Sequence, residues 1–146
     1  MIAFSRPFWP LFLHVLGSMT LVGAVLTVVI VSYVAWRRSD VAILGRTAFW
    51  ALIVVGIPSY VVMRVGAQWI YSKEGYSGNG DPTWIGIGLG AADFGLLLLL
   101  VTTALAFWWN RSAKPLAGRI VAGLSTVYLV LLAVAWLAMS GKWVVG

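Results

Sequence analysis

The chain has 146 residues, of which 62% are hydrophobic and 10% are charged, and its formal net charge is +6. A soluble fold of this size cannot bury so much apolar surface, so the composition excludes an ordinary water-soluble domain and indicates that lipid is the solvent for much of the chain. The basic residues lie singly or in pairs at the ends of apolar runs rather than in an arm or stripe, which argues against nucleic-acid binding, and the absence of cysteine excludes disulfides and thiolate metal sites.

Four long apolar segments follow one another along the chain, at residues 9–36, 42–71, 83–109 and 116–139. Each exceeds the ~20 residues that a helix needs to cross a ~30 Å hydrocarbon core. The connections between them are short, which favours an up-down arrangement of neighbours. The sequence therefore predicts one all-α transmembrane domain, a four-helix bundle that crosses the cell (plasma or inner) membrane several times.

The distribution of Lys and Arg predicts the orientation of this bundle, because basic residues that flank spans are retained in the cytoplasm. Six of them belong to the first and third connections: Arg37, Arg38, Arg46, Arg111, Lys114 and Arg119. Three belong to the tails and the second connection: Arg6, Lys73 and Lys142. This bias places both termini outside.

Tryptophans agree with these boundaries, since their amphipathic rings prefer the membrane interface. The outer set is Trp9, Trp69, Trp84 and Trp143, and the inner set is Trp36, Trp50, Trp108 and Trp109. Within the second span, Pro58 removes a backbone donor, and we expect a kink near residues 56–58.

Small residues recur at a spacing of four, which permits close helix approach in lipid. The first, third and fourth spans contain these sets in turn: Thr20 and Ala24; Gly86 and Gly90; Gly118, Ala122 and Thr126.

Three strongly polar side chains fall well inside the spans: His14, Arg64 and Asp93. Such groups are costly in hydrocarbon and are candidates for function by default. At ~1.5 Å per residue, the predicted topology places all three in the outer half of the membrane.

Helical spacing refines this cluster. Tyr60, Arg64, Gln68 and Tyr71 recur at intervals of four, four and three, so they share one stripe of the second span, and Gly86 and Gly90 share a stripe with Asp93 on the third. We predict an Arg64–Asp93 ion pair, with Gln68 and a tyrosine satisfying the remaining polar atoms.

Three hypotheses for this predicted pair remain open. In the first, it fixes the register of two helices, and in the second, it forms a polar pocket open to the outer side for an anionic group, a proton or part of a quinone. In the third, the pair never forms, because the long side chain of Arg64 extends its charge outward to the interface.

His14 is the single histidine, so one chain cannot provide bis-histidine haem ligation. A neutral imidazole can accept or donate a hydrogen bond near a helix end, shuttle protons, or ligate haem iron or copper. Haem would require a second ligand such as Met19, Met63 or His14 of another copy.

The stretch Leu13-His14-Val15-Leu16-Gly17-Ser18-Met19-Thr20-Leu21-Val22-Gly23 resembles the Leu-His-x-x-Gly-rich first helix of small bacterial four-helix membrane proteins, and is distantly similar to the CopD-type copper-resistance membrane domain. The resemblance implies that His14 is the first residue to mutate.

Three functional hypotheses remain open. The first is a non-catalytic membrane subunit that binds another membrane protein or another copy of itself. The second is an oligomeric transporter, channel or proton-conducting protein that uses His14, Arg64 and Asp93. The third is a haem- or quinone-linked redox protein. No nucleophile beside a base and no nucleotide-binding loop is present in the sequence, so an enzyme is the less favoured class.

Overall fold

The computed structural model describes residues 8–38, 42–76 and 80–141, and the secondary structure in these ranges is helical. It consists of α1 (Phe8–Arg37), α2 (Ala42–Trp50), α3 (Ile57–Lys73), α4 (Thr83–Ser112) and α5 (Pro115–Gly141), with a π-helical segment at Ala51–Gly56 between α2 and α3. Because α2, the π-helical segment and α3 are continuous, the described residues form four long helices, each apolar and long enough to cross a membrane. The predicted all-α four-helix architecture is confirmed.

Each helix extends slightly beyond the predicted span, because helices can protrude from the hydrocarbon core into the interface. Arg6, Lys142 and Trp143, which entered the predicted orientation, lie outside the described residues. The orientation itself stays a prediction. We use it to name the end of the bundle that carries the connection between α3 and α4 the outer end.

The second span is irregular where the sequence predicts a kink. The π-helical turn ends at Gly56, and Pro58 lies in the first turn of α3. Proline has no N–H, and its ring crowds the carbonyl one turn earlier, so a wider turn before Pro58 relieves both problems. The second span is thereby divided into an inner half, α2, and an outer half, α3.

These two halves have different neighbours. α2 packs against both α1 and α4, whereas α3 packs extensively against α1 and makes few contacts with α4. α4 instead packs along α5, and α5 also contacts α1. The four helices therefore enclose a common core in the inner half of the bundle but separate between α3 and α4 in the outer half.

Glycines allow α1 and α3 to approach each other closely. A Cβ atom on Gly17 would lie 2.8 Å from the carbonyl oxygen of Ser59, and one on Gly66 would lie 2.5 Å from the backbone nitrogen of His14. Both distances are shorter than any normal contact, so only glycine fits at these two positions. The backbones of α1 and α3 are in direct contact there.

Trp109 differs from the sequence expectation. It was expected to mark the inner interface, but its ring is 1% exposed and lies between α2 and α5. A Cβ on Gly45 would be 3.3 Å from the indole, and one on Gly118 would be 2.8 Å from it. Two glycines thus make room for the ring inside the bundle, which interface preference alone does not reveal.

The other inner tryptophans are exposed, as expected for an interface. The guanidinium of Arg119 lies 5.3 Å from the Trp36 ring centre, and the ammonium of Lys114 lies 5.9 Å from that of Trp108. These contacts place basic groups and aromatic rings together at the inner end of the bundle.

The glycine contact predicts a clear difference between two positions on α1. Gly17→Ala should lower the free energy of unfolding by about 1–3 kcal/mol, because the added methyl group forces α3 away from α1. Gly23→Ala is the matched control: no described atom lies within 4 Å of its Cβ position. It should be neutral or stabilising, since alanine favours the helix.

Denaturant unfolding of the purified protein in micelles measures both variants. Equal unfolding free energies for the two would contradict the close contact at Gly17.

Candidate functional site

Arg64 of α3 and Asp93 of α4 form the ion pair expected from the sequence. The Nη2 atom of Arg64 lies 3.1 Å from Oδ1 of Asp93, and the two side chains are 32% and 69% exposed. In water such an exposed pair would contribute little. Asp93, however, lies about 15 Å along α4 from the outer end, at a depth where lipid rather than water surrounds an apolar bundle.

Tyr60 of α3 connects the same two helices one turn further inward. Its side chain is buried, and its hydroxyl donates a hydrogen bond to the carbonyl oxygen of Ala92 at 3.0 Å. The sequence suggested that a tyrosine would complete the ion pair itself. Tyr60 instead bonds to the backbone next to Asp93, so it joins α3 to α4 without using the acceptor capacity of the carboxylate.

Tyr128 of α5 reaches the same part of α4 from the opposite side. Its ring packs against Gly95, where a Cβ would lie 2.8 Å from the ring edge. Sequence patterns did not single out Tyr128, although a lone tyrosine in the middle of the apolar fourth span was an available signal. Side chains from three helices therefore meet at residues 92–95 of α4.

Some polar atoms of this cluster remain without partners. Nη1 of Arg64 and the hydroxyl of Tyr128 are buried and have no hydrogen-bond partner among the described residues. A guanidinium has five N–H donors, and a carboxylate has about four acceptor positions. The Arg64–Asp93 pair thus has capacity for further hydrogen bonds, and on Asp93 this capacity faces outward from the bundle.

Outward of Tyr60 and Ala92, a gap separates α3 from α4, and we call this gap the outer cleft. Gly86 lines the cavity at the outer part of this cleft, and Gly90 lies on the same helical stripe of α4 as Gly86 and Asp93. Both glycines are exposed, and no described atom lies within 4 Å of either Cβ position. The pair predicted to allow close helix approach is therefore unused within the described part of the chain.

The mouth of the outer cleft is an open cavity of about 490 Å³ between the end of α3 and the start of α4. The hydroxyl of Tyr71 donates a hydrogen bond to Oδ2 of Asp81 at 2.6 Å across this mouth. The cavity is lined by Tyr71, Asp81, Pro82, Thr83, Ile85, Gly86, Ile87 and Leu89. The mouth of the outer cleft thus has a mainly apolar wall, and the Arg64–Asp93 pair lies further inward along the same two helices.

His14 does not join this cluster. Its Nδ1 lies 3.1 Å from the carbonyl oxygen of Met63, so this nitrogen donates when protonated, and the ring lies between α1 and α3. Successive residues of a helix point about 100° apart, which turns Arg64 away from this contact and towards α4. The structure brings together Tyr60, Arg64 and Asp93 and places His14 on another face of α3.

The remaining predicted residues are more peripheral. Gln68 is exposed one turn outward of Arg64. Met19 is exposed on α1, whereas Met63 is buried, so the two thioethers proposed as second haem ligands do not share one environment with His14. Within residues 8–38, 42–76 and 80–141, no group of three or more His, Asp or Glu side chains is placed to hold a metal ion.

No protein-family model matches the chain, and no curated protein and no solved structure is significantly similar to it. The resemblance of residues 13–23 to the CopD-type domain stays a prediction. The geometry of the outer cleft and its ion pair is therefore the main guide to function.

A double-mutant cycle tests whether Arg64 and Asp93 are energetically coupled. Arg64→Ala and Asp93→Ala should each destabilise the bundle, because each leaves a lone charge in the apolar region. The double variant should lose less stability than the sum of the two, with a coupling free energy of about 1 kcal/mol.

Unfolding in micelles measures all three variants. As a control, Arg64→Ala combined with Lys114→Ala, at the opposite end of the bundle, should be additive. Additivity in the Arg64 and Asp93 cycle as well would show that the ion pair contributes nothing.

Proposed function

We propose that this chain is a non-catalytic, multi-pass protein of the cell membrane whose function is to bind another transmembrane helix in its outer cleft. The observation that carries the proposal is the carboxylate of Asp93, which is 69% exposed although it lies well inside an apolar span. A charged group in that position is stable only when other polar groups or protein cover it.

The exposed charge of Asp93 has a free-energy cost in lipid. A charge at the centre of a transmembrane helix costs about 2.5–3.5 kcal/mol on scales derived from insertion. Arg64 offsets part of this cost by its single close contact with Asp93. A helix bound in the outer cleft removes the remaining lipid contact and adds hydrogen-bond donors to the carboxylate.

The shape of the wall favours a helix as the ligand. Helices associate in lipid through van der Waals packing and close backbone approach, for which small residues at a spacing of four are the usual surface. Gly86 and Gly90 provide this spacing, and both are open. Gly23 and Gly123 are equally open but have no ion pair beside them, so the combination is specific to the outer cleft.

The layer inward of the cluster favours binding over conduction. Leu52 and Leu99 are fully buried there, and both lie 3.6 Å from the Cβ position of Gly56. These side chains fill the space between the second span and α4. Within one bundle, the polar groups of the outer cleft are separated from the inner end by packed aliphatic side chains.

The proposal predicts that Leu97, which lies on the same stripe of α4 as Gly90 and Asp93, is covered in native membranes. The chain has no cysteine, so Leu97→Cys and Val130→Cys each provide one attachment point for a nitroxide spin label without placing a side chain at a glycine. Leu97 lies 14 residues from the outer end of α4, and Val130 lies 15 residues from the inner end of α5, so the two labels sit at similar depths, and both side chains are exposed.

In native membranes, the label at position 97 should be less accessible to lipid-dissolved oxygen than the label at position 130. Dilution into detergent, which dissociates helix partners, should remove the difference. Equal accessibility in native membranes would show that nothing covers the outer cleft and would overturn the proposal.

A further inference from the structure

The geometry points to a second copy of this chain as the occupant of the outer cleft. We propose that two copies bind in parallel about a two-fold axis along the membrane normal, with their Arg64–Asp93 pairs side by side. This inference rests on the proposed function, because it names the partner of the same surface.

The ion pair is complementary to itself under this symmetry. Arg64 lies nine residues from the outer end of α3 and Asp93 lies ten residues from the outer end of α4, so the pair joins the two helices at one depth. In the proposed arrangement, the line from cation to anion therefore runs across the membrane rather than along its normal. A two-fold rotation about the normal reverses that direction, and the two pairs therefore meet antiparallel. The four charged groups then form a square. Each Asp93 lies between its own Arg64 and the Arg64 of the second copy, and groups of like charge are at opposite corners.

Such an alternating arrangement of four charges is attractive, and the attraction is stronger in a medium of low dielectric constant than in water. Arg64 has unused donors, because Nη2 contacts Asp93 and Nη1, which is buried in the bundle, has no partner among the described residues. Binding of the second copy therefore requires a rotation of the guanidinium that turns Nη1 towards the second carboxylate. Asp93 has the acceptors for it on its exposed side.

The depth of the ion pair is a second reason to propose another copy of this chain as the occupant. Any occupant of the outer cleft must offer polar groups at the depth of Asp93 and apolar groups elsewhere. A parallel copy does so by symmetry, since its own ion pair lies at the same depth. The pair has no net charge, so two copies combine without introducing an unbalanced charge into the membrane.

The surface of α4 is continuous around this pair. Gly86, Gly90, Asp93 and Leu97 lie within about 60° of one another around the helix axis, and all four are exposed. In a parallel two-fold dimer, Gly86 and Gly90 pack on their counterparts in the manner of a Gly-x-x-x-Gly contact. Leu97, one turn inward of Asp93, packs across the axis and separates the charges from lipid on that side.

Self-association of the purified chain in liposomes tests the proposal, because no other protein is then present. Energy transfer between donor-labelled and acceptor-labelled copies should report dimers. The double variant Gly86→Leu/Gly90→Leu should dimerise at least about tenfold more weakly, since loss of close packing in lipid commonly has an effect of this size. The matched control Gly23→Leu/Gly123→Leu should dimerise like the wild type.

Cross-linking tests the parallel two-fold geometry. Gly90→Cys lies close to the proposed axis, within the short Cα separation that a disulfide requires. Oxidation should therefore convert it to a covalent dimer of twice 15.8 kDa. Gly123→Cys should remain monomeric, and equal cross-linking of the two variants would overturn the proposed interface.

Charge reversal tests the contact between copies. Arg64→Asp gives each copy two acids and Asp93→Arg gives each copy two bases, so neither variant should self-associate. Their one-to-one mixture should form mixed dimers, and the swapped double variant Arg64→Asp/Asp93→Arg should dimerise like the wild type. Absence of energy transfer in both the mixture and the swapped variant would overturn the antiparallel pairing. Should the single reversals fail to fold, the glycine variants, which keep the ion pair, decide the question.

Two outcomes separate this inference from the proposed function. If the label at position 97 is protected in native membranes but the purified chain stays monomeric in liposomes at every protein-to-lipid ratio, a different membrane protein occupies the cleft and the second copy is excluded. If the label is unprotected in native membranes, the proposed function fails, and this inference fails with it.

Discussion

The backbone contact between α1 and α3 determines where the polar residues of this protein lie. Because Gly17 and Gly66 have no side chains, α3 lies directly against α1, and the face of α3 that carries Met63 packs on α1. α3 makes few contacts with α4, and the irregular turn before Pro58 separates it from α2. The outer cleft is the consequence, and Arg64 points into it because it lies about 100° around the helix from Met63.

The ion pair has a different meaning in this setting from that of a surface salt bridge. Arg64 and Asp93 neutralise each other, but the contact uses one nitrogen and one oxygen, and most of the Asp93 side chain remains exposed. Tyr60 holds the two helices together by a bond to the backbone, so it leaves the carboxylate free for other donors. The two helices are joined at the inner end of the cleft by this bond, while the carboxylate stays exposed, as the proposed binding of a partner helix requires.

The sequence was sufficient for the features that depend on composition and helical period. Long apolar runs predicted four helices, and spacing along the second and third spans predicted that Arg64 and Asp93 would face each other. The helical period alone, however, does not show which helix packs against each face of a span. His14 was therefore grouped with Arg64 and Asp93, although it contacts Met63 between α1 and α3. The same limit explains Trp109: an aromatic residue near a helix end suits the interface or the core, and only the glycines opposite it, on two other helices, decide for the core.

Glycine positions distinguish the surface that the bundle uses from the surface that it leaves open. Gly17, Gly66 and Gly118 face atoms of other helices at distances that exclude any side chain. These glycines therefore serve helix packing within one chain. Gly86 and Gly90 have the same spacing of four but face no described atom. Glycine costs helix stability wherever it stands, because it leaves the backbone more freedom to lose. Two such residues on one open stripe, leading to a carboxylate that lipid cannot solvate, are consistent with a helix contact that forms between molecules rather than within one.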